Sequence, residues 1–456
     1  MTTITAESLG NAEFKRDYGL RYAYLAGAMY KGIASKELVV AMGKAGLMGY
    51  LGTGGMSLVE VEAALRFIKV ELSNGQSFGM NLLSNPEQPE LEQETVSLYL
   101  KHGVRFIEAS AFIGITRSLV YCRLAGVKTN VSGAIERPRL IMAKVSRPEV
   151  AAAFMQPAPE AMVTALLAAG QITAEEAQIG KLIPMADEIC VEADSGGHTD
   201  QGVAYALMPA MLVLRDEMMA RHGYAKQIKV GAAGGIGTAR AAAAAFIMGA
   251  DFILTGSINQ CTVEAGTSEA VKDLLQELNV QDTDYAPAGD MFELGARVQV
   301  AKRGLFFPAR ANKLFELYQR HGSIEEIDPK TRQQIQDRYF KRSFADVWAE
   351  TKAHYLKSFP GKIVDVEKNQ KQKMALIFRW YFVHTTRLAL AGSEEQRVDY
   401  QIHCGPAMGA FNQWVKDGRL QSWRNRHVAE IAELIMQSTA ELLNKSYRAM
   451  MAPAAA

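Results

Sequence analysis

Along the first 285 residues, short apolar runs that end on glycine or another small residue alternate with longer stretches in which apolar positions recur every three or four residues. Runs of the first kind read as strands and stretches of the second as helices. Eight runs qualify: 21–29, 47–55, 77–83, 104–110, 139–146, 188–194, 228–235 and 251–257. Helical patterns such as 57–72 and 238–248 lie between them, and the interval from Pro148 to Pro184 holds more than one helix. Most runs are apolar without clean alternation, as in a parallel sheet covered by helices, and parallel neighbours need such crossovers. Eight βα units in about 260 residues predict a TIM (β/α)8 barrel. A doubly wound sheet satisfies the same alternation, because sequence alone does not close the barrel. Beyond residue 285 the rhythm stops, and helical patterns dominate at 311–321, 331–357, 372–391 and 426–449. The expected organisation is therefore an α/β barrel over 1–285 and an additional, mostly α-helical C-terminal domain over 286–456.

Composition narrows the class without naming a function. The chain has 456 residues, 48% hydrophobic and 22% charged, as in ordinary globular proteins. A net charge of +1 gives no global attraction to nucleic acid or to a membrane surface, so neither is an expected partner. Cys122, Cys190, Cys261 and Cys404 are scattered without CxxC spacing, which argues against a disulfide framework and a structural zinc site. The start, MTTITAESLG, lacks the basic and apolar segments of a signal peptide, and no run has the length of a membrane span. A cytoplasmic protein is expected. The eight histidines show no metal-ligand pattern such as HExxH, and a homodimer is the commonest arrangement for a soluble oligomer.

The chemistry of a TIM barrel sits at the carboxyl ends of its strands, and here those ends are rich in glycine: GTGG at 52–55, GGH at 196–198, GAAGGIG at 231–237 and TGS at 255–257. Gly234 and Gly235 lead from the seventh run into a helix, the geometry that favours a phosphate. Thr255, Gly256 and Ser257 follow one unit later, where TIM barrels often complete a phosphate site. Tight βα turns call for the same glycines. Arg240 stands where the last glycine of a GxGxxG fingerprint would be, so a mononucleotide such as FMN suits the site better than a tightly held dinucleotide. Asn81, ending the third run, offers an amide that donates and accepts at a flavin edge, or caps a turn. Lys144, near the end of the fifth, either points inward, where its charge would stabilise an anionic reduced flavin, or snorkels to solvent. Glu192 and Asp194 share one face without a visible partner. Gly196 and Gly197 let the chain approach a planar ligand, and His198 is then placed to donate a proton or bind a carbonyl; a solvent-exposed loop histidine is the plainer alternative.

The segments VEADSGGHTD and GAAGGIGTARAAAAAFIMGADFILTGS resemble the nitronate monooxygenase flavin barrels. With GLMGYLGTGG, FGMNLLSNP and FELGARVQVAKRGLFFPARANKLFELYQ added, most of the chain is similar to the PfaD-type trans-acting enoyl reductases of polyketide and polyunsaturated fatty-acid synthases. The resemblance implies an FMN barrel that uses NADPH to reduce the α,β double bond of an enoyl chain on an acyl carrier protein. It further implies that Asn81, Gly196, Gly197, Gly234, Gly235, Thr255, Gly256 and Ser257 hold FMN and that His198 is the active-site histidine. Where nitronate monooxygenases read EAGGH, residues 194–198 read DSGGH, a departure that weakens the oxygenase reading. The helical region would provide the acyl tunnel and carrier-protein dock. Lys302, Arg303, Arg310 and Lys313 are candidates for steering an acidic carrier, against the plainer reading of a solvated helix face with Phe306 and Phe307 in the core. Residues 375–390 read as a core helix. A nitronate monooxygenase-like oxidoreductase and a non-catalytic assembly module are the rival functions, and the cleared strand ends speak against the second.

Overall fold

A computed structural model describes residues 3–86, 88–358, 363 and 366–451. Its strands, in chain order, are β1 (Tyr24–Ala26), β2 (Met48–Leu51), β3 (Gly79–Leu83), β4 (Phe106–Ser110), the short hairpin β5 (Lys128–Thr129) and β6 (Ile135–Glu136), β7 (Leu140–Val145), β8 (Glu188–Glu192), β9 (Gly197–Thr199), β10 (Lys229–Ala233), β11 (Ile253–Thr255), β12 (Thr283–Pro287) and β13 (Arg297–Ala301). Eight of them, one in each expected run, pair in parallel as a closed barrel in the order β1-β11-β10-β8-β7-β4-β3-β2. Closure is visible at β1, where Leu25 lies opposite Met48 on one side and Leu254 on the other. This is the TIM barrel, and the doubly wound alternative is excluded.

Packing divides the chain into two compact units that are discontinuous in sequence: one comprises residues up to Asp194, Asp200–Gly266 and Trp414 onwards, and the other Ser195–Thr199 and Thr267–Gln413. These units follow tertiary contacts rather than the end of the βα rhythm at residue 285. The helix Val428–Met451, far along the chain from the barrel strands, belongs to the first unit, where Thr439 Oγ1 donates to Ala239 O.

In the first unit, alternate side chains of the strands point inward. Leu25, Met48, Tyr50, Phe106, Met142 and Leu254 share one core with Phe14 and Tyr18. The latter two ride on the helix Ala12–Tyr18, which Asn11 caps by accepting from the amides of Glu13 and Phe14. Phe14 stacks on Phe252 at 4.4 Å and Tyr18 on Phe106 at 4.6 Å. Both partners stand at the amino ends of barrel strands, so this helix plugs that end and leaves polar chemistry to the carboxyl ends. Among the described residues no single helix is long and apolar enough to cross a membrane; Pro148–Met155 and Glu160–Ala168 reach that length only together, across a 47° bend.

The second unit is not wholly helical. It holds a three-stranded antiparallel sheet, β12-β13-β9, with Tyr285 opposite Gln299 and Val298 opposite His198. Its strands are short and one of them, β9, is supplied from about a hundred residues upstream by the chain between β8 and β10, so no local pattern announces them. Around the sheet pack the helices Phe307–Arg320, Pro329–Ile335, Phe344–Ser358 and Gln370–Ala391. The single helix expected over 331–357 is broken: a π turn at Gln336–Phe340 is followed by Lys341 in the left-handed region at φ 54°. The helix Gln370–Ala391 is a core element, as expected, with Phe378, Tyr381 and Phe382 buried.

Candidate active site

At the end of β10 the chain turns through Gly234 (φ 85°) and Gly235 (φ 72°) into the helix Ala239–Ile247, whose first turn is capped by Thr238 accepting from the amide of Ala241. A Cβ on Gly234 would lie 2.5 Å from the carbonyl oxygen of Ala193, so this glycine is required by the passing backbone. Around Gly235 and around Gly256, at the end of the neighbouring strand β11, a Cβ would meet no atom within 4 Å. The two cleared positions, together with the capped helix start, form a bed of backbone amides suited to a phosphate. Ser257 opens the short 3-10 helix Ser257–Cys261 beside it. Thr255 is buried, its hydroxyl lying 2.6 Å from Tyr24 OH and 3.0 Å from Asn259 Nδ2. Its side chain therefore fixes the shape of the strand end. Asn259 is also buried, and its Oδ1 lacks a hydrogen-bond partner among the described residues. An orphaned acceptor and cleared backbone in one corner fit a ligand carrying phosphate and hydroxyl groups.

Across the barrel, Asn81 on β3 is buried and spends its amide hydrogens on β4, donating to Ser110 Oγ at 2.7 Å and to Glu108 O at 3.1 Å. Glu108, which the sequence pattern did not single out, is the hub of this side. Its carboxylate is fully buried and accepts from Ala28 N at 3.0 Å and Ser110 Oγ at 3.2 Å. Lys144 on β7 stands 3.3 Å from Glu108 and 3.7 Å from Glu192 on β8. It points inward, and Glu192 has the partner that was missing in the sequence. Burial opposes the Lys144 charge, but the two carboxylates outweigh it and raise its pKa. A glutamate in the middle of the apolar run 104–110 was the available signal for Glu108.

The second unit holds the glycine–histidine segment. The chain leaves β8 at Asp194, contributes β9 to the antiparallel sheet and returns at Asp200. A Cβ on Gly196 would lie 2.8 Å from the backbone of Cys404 and Gly405, and Gly197 adopts φ 89°. Both are thus explained by the chain's own path. His198 is exposed, with Nε2 2.8 Å from Asp290 Oδ1. Asp290 is itself exposed; partial desolvation opposes its charge, but the hydrogen bond and charge of His198 outweigh it and hold its carboxyl below its ordinary value. His403 lies close by: its Nδ1 is 3.7 Å from a Cβ built on Gly197, and its Nε2 is 2.7 Å from Gln401 Nε2. Burial, with the neighbouring His198 charge, depresses its pKa to about 4. Neither Asp290, in PAGDMF, nor His403, in QIHCG, carried any pattern that singled it out.

Of the four candidate carrier-steering cations, Lys302 and Arg303 are exposed, Arg303 also standing 3.8 Å from Asp282 and donating to Glu277 O. Arg310 is instead paired with the buried Asp399, which also accepts from Tyr381 OH at 2.7 Å, and Lys313 reaches Glu316 at 3.2 Å. Phe306 is exposed and Phe307 buried.

The family profile of nitronate monooxygenase matches residues 16–302, well over half the chain. The chain belongs to the nitronate monooxygenase family. Residues 321–400 also match the inserted helical domain of the acyl-carrier-protein S-malonyltransferases. The polyketide biosynthesis protein PksE of Bacillus subtilis is 60% identical over 450 residues, 99% of this chain and 58% of that protein. A polyunsaturated fatty acid synthase polypeptide of a Thraustochytrium species is 42% identical over 416 residues, 90% of this chain and 28% of that polypeptide. The chain thus spans little more than half of one curated relative and under a third of the other. The crystal structure of the enoyl reductase domain of MlnA, from the macrolactin cluster of Bacillus amyloliquefaciens, shares 48% identity and a TM-score of 0.93, covering 98% of this chain and all of that one. Within the nitronate monooxygenase family the chain is thus similar over its whole length to that enoyl reductase domain.

Proposed function

We propose that the protein is an FMN-dependent enoyl reductase that uses NADPH to reduce the α,β double bond of enoyl thioesters held on acyl carrier protein domains of a polyketide or polyunsaturated fatty-acid synthase. The observation that carries this reading is the likeness to the MlnA enoyl reductase domain over its whole length. In this reading Gly234, Gly235, Gly256 and Ser257 receive the FMN phosphate at the ends of β10 and β11, with Thr255 fixing the strand end and Asn259 offering its unsatisfied oxygen. Asn81 and Lys144 present an amide oxygen and a cation from β3 and β7, with Lys144 held in place by Glu108 and Glu192. Gly196 and Gly197 shape the backbone that presents His198. Bound FMN would take hydride from NADPH and supply it to the β-carbon of the substrate. His198 supplies the proton for the α-carbon, and exposed Lys302 and Arg303 attract the acidic carrier.

The purified protein is expected to show a flavin visible spectrum that NADPH bleaches without oxygen and that a crotonyl or longer enoyl thioester restores. His198→Ala should keep its flavin and lose about a hundredfold or more in the rate of restoration, the scale of a lost general acid. A colourless protein refutes the flavin reading. Oxygen consumption with alkyl nitronates, and no reoxidation by enoyl thioesters, would favour the oxygenase activity for which the family is named.

A further inference from the structure

We propose that Asp290 is the positioning residue of His198, gripping the ring through Nε2 so that the transferable proton is carried on Nδ1. The inference deepens the proposed reductase reading and rests on it. Both residues belong to one small sheet. His198 sits in β9 opposite Val298 of β13, and Asp290 lies in the connection between β12, ending at Pro287, and β13, starting at Arg297. The imidazole–carboxylate contact of 2.8 Å thus joins a strand of the sheet to the connection between its two other strands. A carboxylate accepting from Nε2–H fixes the tautomer: the neutral ring has an unprotonated Nδ1, and only the charged ring carries Nδ1–H. The same carboxylate favours the protonated ring electrostatically.

His403, the second imidazole in the cluster, has its Nε2 engaged by Gln401 and is kept neutral by burial, so it adds no opposing positive charge near neutrality. On β13, Arg297 stands one position along from the residue opposite His198 and turns its guanidinium to Asn312 Oδ1 at 3.1 Å. β12 contributes Asp284, which is exposed. In the reaction, the hydride originating from NADPH forms the C–H bond at the β-carbon. The electron pair left at the α-carbon takes the proton from Nδ1 as that N–H bond breaks, and the neutral ring is reprotonated by water.

The test compares the flavin-loaded full chain with Asp290→Asn, an isosteric change that keeps the shape and removes the charge. In histidine-labelled protein, with the His198 resonance identified by its loss in His198→Gln, the imidazole titration of His198 is expected to move down by about one unit. The rate of reoxidation by enoyl thioester should fall about tenfold. Because the protonated ring is the donor, the alkaline limb of that rate should move to lower pH by the same amount, and Asp290→Glu should restore part of both effects. An unmoved His198 titration, or a moved titration with an unchanged rate and pH limb, overturns the assignment. Failure of the wild-type protein to be reoxidised by enoyl thioesters refutes the reductase reading instead, and the titration is read separately from it.

Discussion

Two glycines one strand apart do different work at the barrel's carboxyl end. Gly234 combines φ 85° with an approach of 2.5 Å between a Cβ and the backbone of Ala193, whereas Gly256 has φ −128° and open space. Gly234→Ala must therefore displace main chain or adopt a left-handed conformation, and is expected to lower stability by about 1–3 kcal/mol in urea unfolding. Gly256→Ala should leave the urea midpoint of the flavin-free protein unchanged, while its methyl group enters the proposed phosphate bed and weakens FMN binding about tenfold. Equal affinity in a fluorescence titration would remove Gly256 from the cofactor site. His198 shows the same distinction from the other side: the glycines before it are explained by their own backbone surroundings, and the histidine by a carboxylate.

At the scale of elements, adjacent strands β4, β7 and β8 bring the fully buried Glu108 together with the partly buried Lys144 and Glu192. Each charge is tolerable only because the others are present. Lys144→Met would leave two carboxylates facing each other without a cation, and is expected to cost about 3 kcal/mol in chemical unfolding. Removing one of those charges as well, in Lys144→Met with Glu108→Gln, should recover part of the loss. A double variant no more stable than the single one would show that Lys144 acts through its packing alone. The pairing also gives Lys144 a role before any ligand arrives: the carboxylates keep it charged and inward.

For the whole molecule, pH dependence of stability should be governed in part by His403. Its pKa of about 4 lies below the ordinary histidine value of 6.5, so between those values the unfolded chain binds a proton that the native protein excludes. Stability therefore falls as pH drops from about 6.5 to 4, by an amount on the order of 3 kcal/mol once complete. His403→Gln should flatten this part of the curve, and thermal unfolding at pH 7, 6 and 5 measures it; an unchanged slope would show that other groups control acid unfolding. One cut of the chain cannot separate its two units. The second unit needs residues 195–199 from between β8 and β10 to complete its sheet, and the first takes back the helix Val428–Met451.

The barrel was legible in the sequence because its information is local: each βα unit carries its own apolar run, its own small residues at the strand end and its own helical period. Glycines that clear the ends of β10 and β11 were legible for the same reason, since the strand, turn and helix are contiguous there. The core role of residues 375–390 could likewise be read from their apolar density. What only the tertiary structure decided is everything that depends on partners far apart in the chain. Glu108 meets Lys144 across neighbouring strands, Asp290 meets His198 ninety-two residues away, and His403 reaches the same corner from later still. The sheet β12-β13-β9 takes one strand from inside the barrel's sequence. Side-chain patterning encodes which face of an element is buried, but the long-range pairing that brings an acid beside a base is set by how the elements pack. Here it takes a five-residue detour of the chain to bring them together.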